Sequence, residues 1–282
     1  MIIPASTAQS VATRLAHHLN EELAVPEITR FADGEFKLQL PSTDDRAVIV
    51  CSTTTADAHI ELLQLQEVAS READEVLTIL PYMGYARQDR AFRDGEPVTA
   101  RAVAQAISTT TDRVFTVSPH EPAITELFDV PCAIVDGAPR LAEGLPEGLT
   151  DPLFLAPDEG ATELAGAVRD AYGSGETDYF EKHRDRKTGT VSIEPHDTDV
   201  ADRDVILTDD IIATGSTMAT AIEQLNGQAA RSIYAGCIHP VLADSAQATL
   251  GGAGVTKLFG TDTIERSVST VSVAPAIATE LR

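Results

Sequence analysis

Short runs of β-branched and other apolar residues alternate along the chain with stretches whose apolar positions recur at helical spacing. This alternation predicts parallel sheets with helices packed on their faces. Val48-Ile49-Val50 reads as a strand feeding a helix from about residue 57 to 71, on which Leu62, Leu65 and Ala69, with Ile60 and Leu63, are spaced for a buried stripe. Residues 76–80 form the next apolar run, followed by a loop rich in glycine and charge, a helix from about 99 to 108, and the strand Val114-Phe115-Thr116-Val117. A further short helix precedes Cys132-Ala133-Ile134-Val135. The second half follows the same plan. Strand 153–156, a helix from about 161 to 172, strand Val205-Ile206-Leu207, a helix from about 216 to 225, strand Ile233-Tyr234-Ala235 and a helix near 245–250 have the layout of a second copy of one unit. At Asp136-Gly137-Ala138-Pro139 a strand ends in turn-forming residues, which marks the expected boundary between domains 1–137 and 138–282. Roughly the last 15 residues remain able to pack on the N-terminal domain. Ligands in open α/β sheets sit beyond the carboxyl ends of the strands, so the loops after these strands are where chemistry is expected.

Composition narrows the classes. At 282 residues and 43% hydrophobic content the chain can bury two α/β cores. The opening MIIPAST has neither a basic n-region nor an apolar h-region, and there is no run of roughly 18 uncharged apolar residues, so a soluble, cytoplasmic protein is expected. The net charge of −23 is unrelieved by any basic stripe, which removes the electrostatic footprint expected for nucleic acid or an anionic membrane. The lysines are Lys37, Lys182, Lys187 and Lys257, and acidic residues are spread along the whole length, a composition suited to a halophilic cytoplasm. Cys51, Cys132 and Cys237 each lie in or beside an apolar run, which predicts buried reduced thiols instead of metal or catalytic roles.

Six segments carry candidate chemistry. In VILTDDIIATGST (205–217) an apolar strand delivers Asp209 and Asp210 to a loop, and Thr214-Gly215-Ser216-Thr217 opens the next helix with backbone N–H groups and hydroxyls able to hold a phosphate. The two acids can bind ribose hydroxyls or a hydrated metal ion; the bland alternative is a strand-to-helix turn with a Ser or Thr cap. PYMGYARQDR (81–90) offers the faces of Tyr82 and Tyr85 and the polar groups of Arg87, Gln88, Asp89 and Arg90, or else is a solvated charged loop. FADGEF (31–36) reads by itself as a hairpin turn. His120 and Asp158 each follow a strand and are metal-ligand candidates, although a lone histidine is commonly a surface residue and a lone aspartate a helix cap. Lys182-His183-Arg184 stands in a basic segment that also holds Arg186 and Lys187, a solvated basic loop in the plainest reading.

Taken together these segments resemble the PRPP synthetase (ribose-phosphate pyrophosphokinase) family, in the shorter, archaeal-type form. Segment 205–217 is similar to the phosphoribosyl-pyrophosphate (PRPP) loop of the type I phosphoribosyltransferase fold, with Ala213 where that loop often carries an acid. PYMGYARQDR is a close match to the synthetases and is lacking in plain phosphoribosyltransferases, and FADGEF resembles their other ATP-contacting stretch. TVSPHEP is similar to TVDLH, with Ser118 and Pro119 in place of Asp and Leu; LAPDEGA is like SPDxGG; and Lys182-x-Arg184 fits the family's mobile catalytic flap.

The resemblance implies two phosphoribosyltransferase-like α/β domains and an enzyme that makes PRPP and AMP from ATP and ribose 5-phosphate for nucleotide biosynthesis. It assigns Lys182 and Arg184 to catalysis. ATP falls to Asp33, Gly34, Glu35, Arg87 and Gln88, and ribose 5-phosphate to Arg184, Asp209, Asp210, Ala213, Thr214, Gly215, Ser216 and Thr217. Mg²⁺ is assigned to His120 and Asp158, and a homo-oligomer with the ATP site near a subunit interface is expected. The alternatives are a phosphoribosyltransferase that consumes PRPP and a non-catalytic regulatory homologue.

Overall fold

The structure is a computed structural model that describes residues 1–41, 44–91, 93–184, 191–196 and 198–282, with the backbone alone at 182–184 and 191–194. In chain order the elements are β1 (Ile2–Pro4), α1 (Gln9–Leu19), β2 (Glu27–Arg30), β3 (Phe36–Gln39), β4 (Arg46–Val50), α2 (Ala56–Ala69), β5 (Glu75–Leu80), α3 (Thr99–Ile107), β6 (Arg113–Val117) and β7 (Cys132–Val135). There follow β8 (Leu153–Ala156), α4 (Thr162–Tyr172), β9 (Glu176–Arg184), β10 (Val191–Pro195), β11 (Asp204–Ile211), α5 (Ser216–Gly227), β12 (Ser232–His239), α6 (Ala246–Gly252), β13 (Lys257–Thr261), β14 (Ser269–Val271) and α7 (Ala274–Glu280). The chain forms two compact units. One contains Met1–Asp136, Asp262–Glu265 and Ser272–Arg282; the other contains Gly137–Thr261 and Arg266–Val271.

The first unit is built on a five-stranded parallel sheet in the order β1-β4-β5-β6-β7, with the β2–β3 hairpin outside it. Ala47, Val48, Ile49 and Val50 on β4 are all fully buried, as expected of a parallel strand covered on both faces. The buried stripe of α2 is Ala58, Leu62, Leu65 and Ala69, joined by Glu61 and Gln66. Ile60 and Leu63, expected in that stripe, lie outside it, and Ile60 is 48% exposed. Their place on the inner face is taken by polar residues with partners. Glu61 accepts from the N–H (2.7 Å) and the hydroxyl (2.5 Å) of Ser6, and the Gln66 amide donates to Thr78 Oγ1 (2.8 Å) and the Ile107 carbonyl (3.0 Å). The short helix expected after β6 is a 3-10 helix at Pro122–Leu127. Cys51 is buried as expected, whereas Cys132, at the start of an edge strand, is only partly so.

The returning segments complete this unit. The Asp262 carboxylate, 1% exposed, accepts from Arg14 Nη1 (2.6 Å), Ser272 Oγ (2.7 Å) and the Val273 N–H (2.9 Å), and α7 packs on α1.

The second unit has a seven-stranded sheet in the order β10-β9-β8-β11-β12-β13-β14, parallel except for β10 against β9. The chain builds outward from β8 on one side to β9 and then crosses to the other side at β11. The strand order therefore reverses between β8 and β11, which puts the expected ligand crevice beyond their carboxyl ends.

Candidate active site

The reversal point of the second unit is occupied by the motif at 205–217. Strand β11 extends further than its apolar run, so Asp209 and Asp210 stand on its last residues and not in the following loop, with Asp209 paired to Cys237 of β12. Asp209 Oδ1 accepts from the Asp210 N–H (2.9 Å) and Asp210 Oδ1 from the Ile211 N–H (2.8 Å). Burial, and then the Asp210 carboxyl hydrogen-bonded beside it, pushes the Asp209 carboxyl up to about 8, and the charge of Asp158 adds to the rise. The same crevice therefore holds Asp158, which sits two residues past β8. Asp158 is exposed, and although it stands at the N-cap position its side chain makes no capping hydrogen bond.

The loop after β11 is held open by its neighbour: Leu242 N–H donates to the Ile212 carbonyl and Ala243 N–H to the Ala213 carbonyl, both at 2.9 Å. Helix α5 begins at Ser216 with Gly215 as its cap, at φ +72°, and no side chain caps the first turn. The Thr214 and Ser216 hydroxyls lie 3.2 Å apart. Gly215 is required twice over: the left-handed backbone disfavours a side chain, and a Cβ there would come within 3.1 Å of Leu250 on α6, a neighbour with no sequence signal of its own. The Ser or Thr cap of the bland alternative is thus absent, and with glycine at the cap the first-turn N–H groups have no side-chain acceptor.

Strand β9, on the other side of β8, carries Lys182 and Arg184 on its outer half, where it pairs only with β10. Lys187 and Arg186, the rest of the basic cluster, lie outside the described residues.

In the first unit, PYMGYARQDR follows β5 and His120 follows β6, so the carboxyl ends of two adjacent parallel strands bear both. Arg87, Gln88 and His120 are exposed. The loop is seated on the segment after β4: Gly84 N–H donates to Thr53 Oγ1 (2.8 Å), and a Cβ at Gly84 would stand 2.0 Å from the Thr53 carbonyl oxygen. Tyr85, at φ +64° and 44% exposed, has its ring 5.6 Å from that of His59 on α2. Sequence reasoning gave His59 no part; burial lowers its basicity, and its Nε2 is buried without a hydrogen-bond partner.

Asp33, Gly34 and Glu35 form the tip of the β2–β3 hairpin, closed by Phe31 N–H to the Glu35 carbonyl (2.7 Å) and by Asp33 Oδ1 accepting the Glu35 N–H (3.1 Å). Arg30 ties this tip to the start of α2, donating to the Gly34 carbonyl (2.7 Å) and to Asp57 (2.9 Å). FADGEF is thus a hairpin turn, and the Arg30–Asp57 pair sets its tip beside the start of α2. Among the described residues no three His, Cys, Asp or Glu side chains converge as a metal-binding group.

Residues 1–110 match the family profile described as the N-terminal domain of ribose phosphate pyrophosphokinase, and residues 126–259 match the phosphoribosyl transferase domain. The chain is 54% identical to a ribose-phosphate pyrophosphokinase of Halobacterium salinarum over the full length of both. It is 41% identical to the ribose-phosphate pyrophosphokinase of Methanosarcina mazei, over 99% of this chain and 94% of the relative. The crystal structure of phosphoribosylpyrophosphate synthetase from Mycobacterium smegmatis superimposes with a TM-score of 0.83 at 25% identity, covering 100% of this chain and 97% of that one. With both domains matched in order and identity of this degree sustained from end to end, the chain belongs to the ribose-phosphate pyrophosphokinase family.

Proposed function

We propose that this enzyme moves the β,γ-diphosphoryl group of ATP intact to the 1-hydroxyl of ribose 5-phosphate, giving PRPP and AMP through the residues assigned below. The observation that carries this reading is the presence of two separate strand-end sites: a sugar-phosphate loop after β11, and a second set of loops bearing Asp33–Glu35 and Arg87–Gln88 at the strand ends of the other unit. A phosphoribosyltransferase consuming PRPP needs only the first.

The 5-phosphate is assigned to the first turn of α5, on the amides of Thr214, Gly215, Ser216 and Thr217, where uncapped N–H groups and the helix dipole favour an anion. Ala213 lines the loop through its backbone. The ribose hydroxyls are assigned to Asp209 and Asp210; a hydroxyl donating to Asp209 offsets the desolvation that now favours its neutral form. The nucleotide is assigned to Asp33, Gly34, Glu35, Arg87 and Gln88, and the cations that meet the transferring phosphates to Lys182 and Arg184. Attack at the β-phosphorus requires the two anionic substrates held in line and the equatorial oxygens neutralised, so positioning and fixed positive charge account for most of the rate.

Asp158 suits Mg²⁺, which is held in such sites by one or two carboxylates together with water and substrate phosphates, because its carboxylate is exposed and not used for capping. His120 and Asp158 would hold the ion directly or through water, and once bound it supplies Lewis-acid charge to the phosphate oxygens. A homo-oligomer with the ATP site near a subunit interface is supported by exposed Ile28, Phe31 and Ile60 around the nucleotide hairpin, and light scattering tests it. A cytoplasmic location is in keeping with the acidic composition; among the described residues no helix is long and apolar enough to cross a membrane.

The deciding experiment incubates the purified protein with ATP, Mg²⁺ and ribose 5-phosphate in high salt and follows AMP and PRPP. Equimolar formation of the two is expected; ATP left intact here, with PRPP consumed in a parallel incubation with a free base, overturns the reading. Asp210→Asn and Thr217→Ala should weaken use of ribose 5-phosphate more than use of ATP.

A further inference from the structure

We propose that Phe180 is a positioning residue for the reaction: seated against the sugar-phosphate loop, it fixes the register at which β9 leaves the sheet and so sets where Lys182 and Arg184 are presented. The inference rests on the assignment of Lys182 as a catalytic cation.

Strand β9 changes partners at this residue. From Glu176 to Tyr179 it pairs in parallel with β8, ending at Tyr179 opposite Ala156; from Phe180 onward it pairs only with β10, beginning at Phe180 opposite Pro195. A two-stranded ribbon has little stability of its own, so what holds its root decides where the ribbon points. That root is Phe180, 2% exposed between half-buried Tyr179 and exposed Glu181. Its ring lines one cavity with Leu155, Leu207, Asp209, Thr217 and Met218, so the aromatic that ends the sheet portion of β9 is also part of the wall behind the ribose-binding loop. Polar contact does not close this wall. Thr208, fully buried and lining the same cavity, has a hydroxyl with no partner, which leaves the apolar seat of Phe180 as the joint between β9 and the loop.

Residues two apart on a strand share a row, so positions 178, 180, 182 and 184 lie in one row of β9. The first two are buried and fixed. Asp178 Oδ1 accepts the Tyr179 N–H (2.8 Å) and its Oδ2 the Thr198 N–H (3.1 Å), while His196 N–H donates to the Tyr179 carbonyl (3.0 Å), which ties the returning chain to the same root. A slip of one residue at Phe180 would exchange rows and offer Glu181 and His183 where the cations belong. The bulk of a phenylalanine in a closed seat is the device that forbids it.

A double-mutant cycle on the full chain tests this, with kcat and KM measured for Phe180→Ala, Phe180→Leu, Lys182→Ala and Phe180→Ala/Lys182→Ala. Phe180→Ala should lower kcat by about 10- to 100-fold, the scale of a small misplacement of a catalytic group, with KM for ATP within about twofold of the parent. Phe180→Leu should recover most of the rate. In the Lys182→Ala background, the same Phe180→Ala change should cost several-fold less than in the parent, because one of the two cations it positions is already gone. An equal loss in both backgrounds overturns the proposal, as does wild-type kcat in Phe180→Ala. Near-wild-type kcat in Lys182→Ala alone overturns instead the cation assignment on which it rests. Should Phe180→Ala fail to fold, Phe180→Val, which removes the ring but keeps a β-branched apolar residue on the strand, supplies the same cycle.

Discussion

Lys182 is assigned to charge that develops only as the diphosphoryl group leaves AMP, and a group acting mainly in the transition state has a recognisable signature. Lys182→Ala should lower kcat and kcat/KM together by on the order of 10²–10³-fold, roughly 2.7–4 kcal/mol, with substrate binding nearly intact. Arg184→Ala should resemble it and Lys187→Ala should be mild; a defect confined to Lys187 moves the catalytic cation along the chain. Asp209 gives a second test. Its carboxyl is raised to about 8 in the folded protein, from the value of about 3.9 expected when unfolded, so the native state keeps a proton that the unfolded chain gives up. The stability this proton contributes is present at low pH and is lost as pH rises from about 4 through about 8. Asp209→Asn should therefore melt above the parent at pH 8.5 and by a smaller margin at pH 5, while using ribose 5-phosphate poorly; the same margin at both pH values contradicts the burial argument. Asp209 and Gly215 were legible because a motif announced them, whereas His59, Leu250 and Phe180 were not. Each of those three acts by filling space beside a motif distant in sequence, and apolar periodicity marks such residues only as core.

At the level of elements, the alternation of apolar runs disclosed the main parallel strands and the helices between them, because strands buried on both faces must be apolar throughout. It did not disclose the largely exposed β2 and β3, of which only the turn was read, nor β9 and β10, read as a basic loop, nor β14 and α7, too short for a period to show. The inner face of α2 misled for a definite reason: Glu61 and Gln66 are polar residues made burial-compatible by partners on other elements, which a stripe-counting rule cannot foresee. Two element-level changes follow. Gly84→Ala forces a Cβ into the Thr53 carbonyl and must displace the loop bearing Arg87 and Gln88, so KM for ATP should rise well before KM for ribose 5-phosphate. Asp262→Ala removes three hydrogen bonds to one buried carboxylate and should destabilise the first unit by on the order of 3 kcal/mol, the scale of charged hydrogen bonds, read as a lowered melting transition.

Across the whole molecule, a net charge of −23 makes the compact state work against its own repulsion, and dissolved cations relieve it by screening. Melting temperature and activity should both rise from low to molar KCl, and a melting temperature independent of salt contradicts this account. Length and composition made two α/β cores legible. They left room for the chain's end to pack on the first unit but did not show how Ser272–Arg282 is tied there, because the tie depends on one buried carboxylate, Asp262, meeting Arg14 from the far end of the sequence. That return path bears on synthesis. A ribosome emits every residue of the second unit before it emits α7, so the usual order, in which the earlier part of a chain finishes folding first, is inverted. While the second unit matures, the face of α1 that α7 will cover waits open on the nascent polypeptide. A stalled or prematurely terminated message lacking residues 272–282 should thus yield a protein whose later-made half resists protease while its earlier-made half is digested.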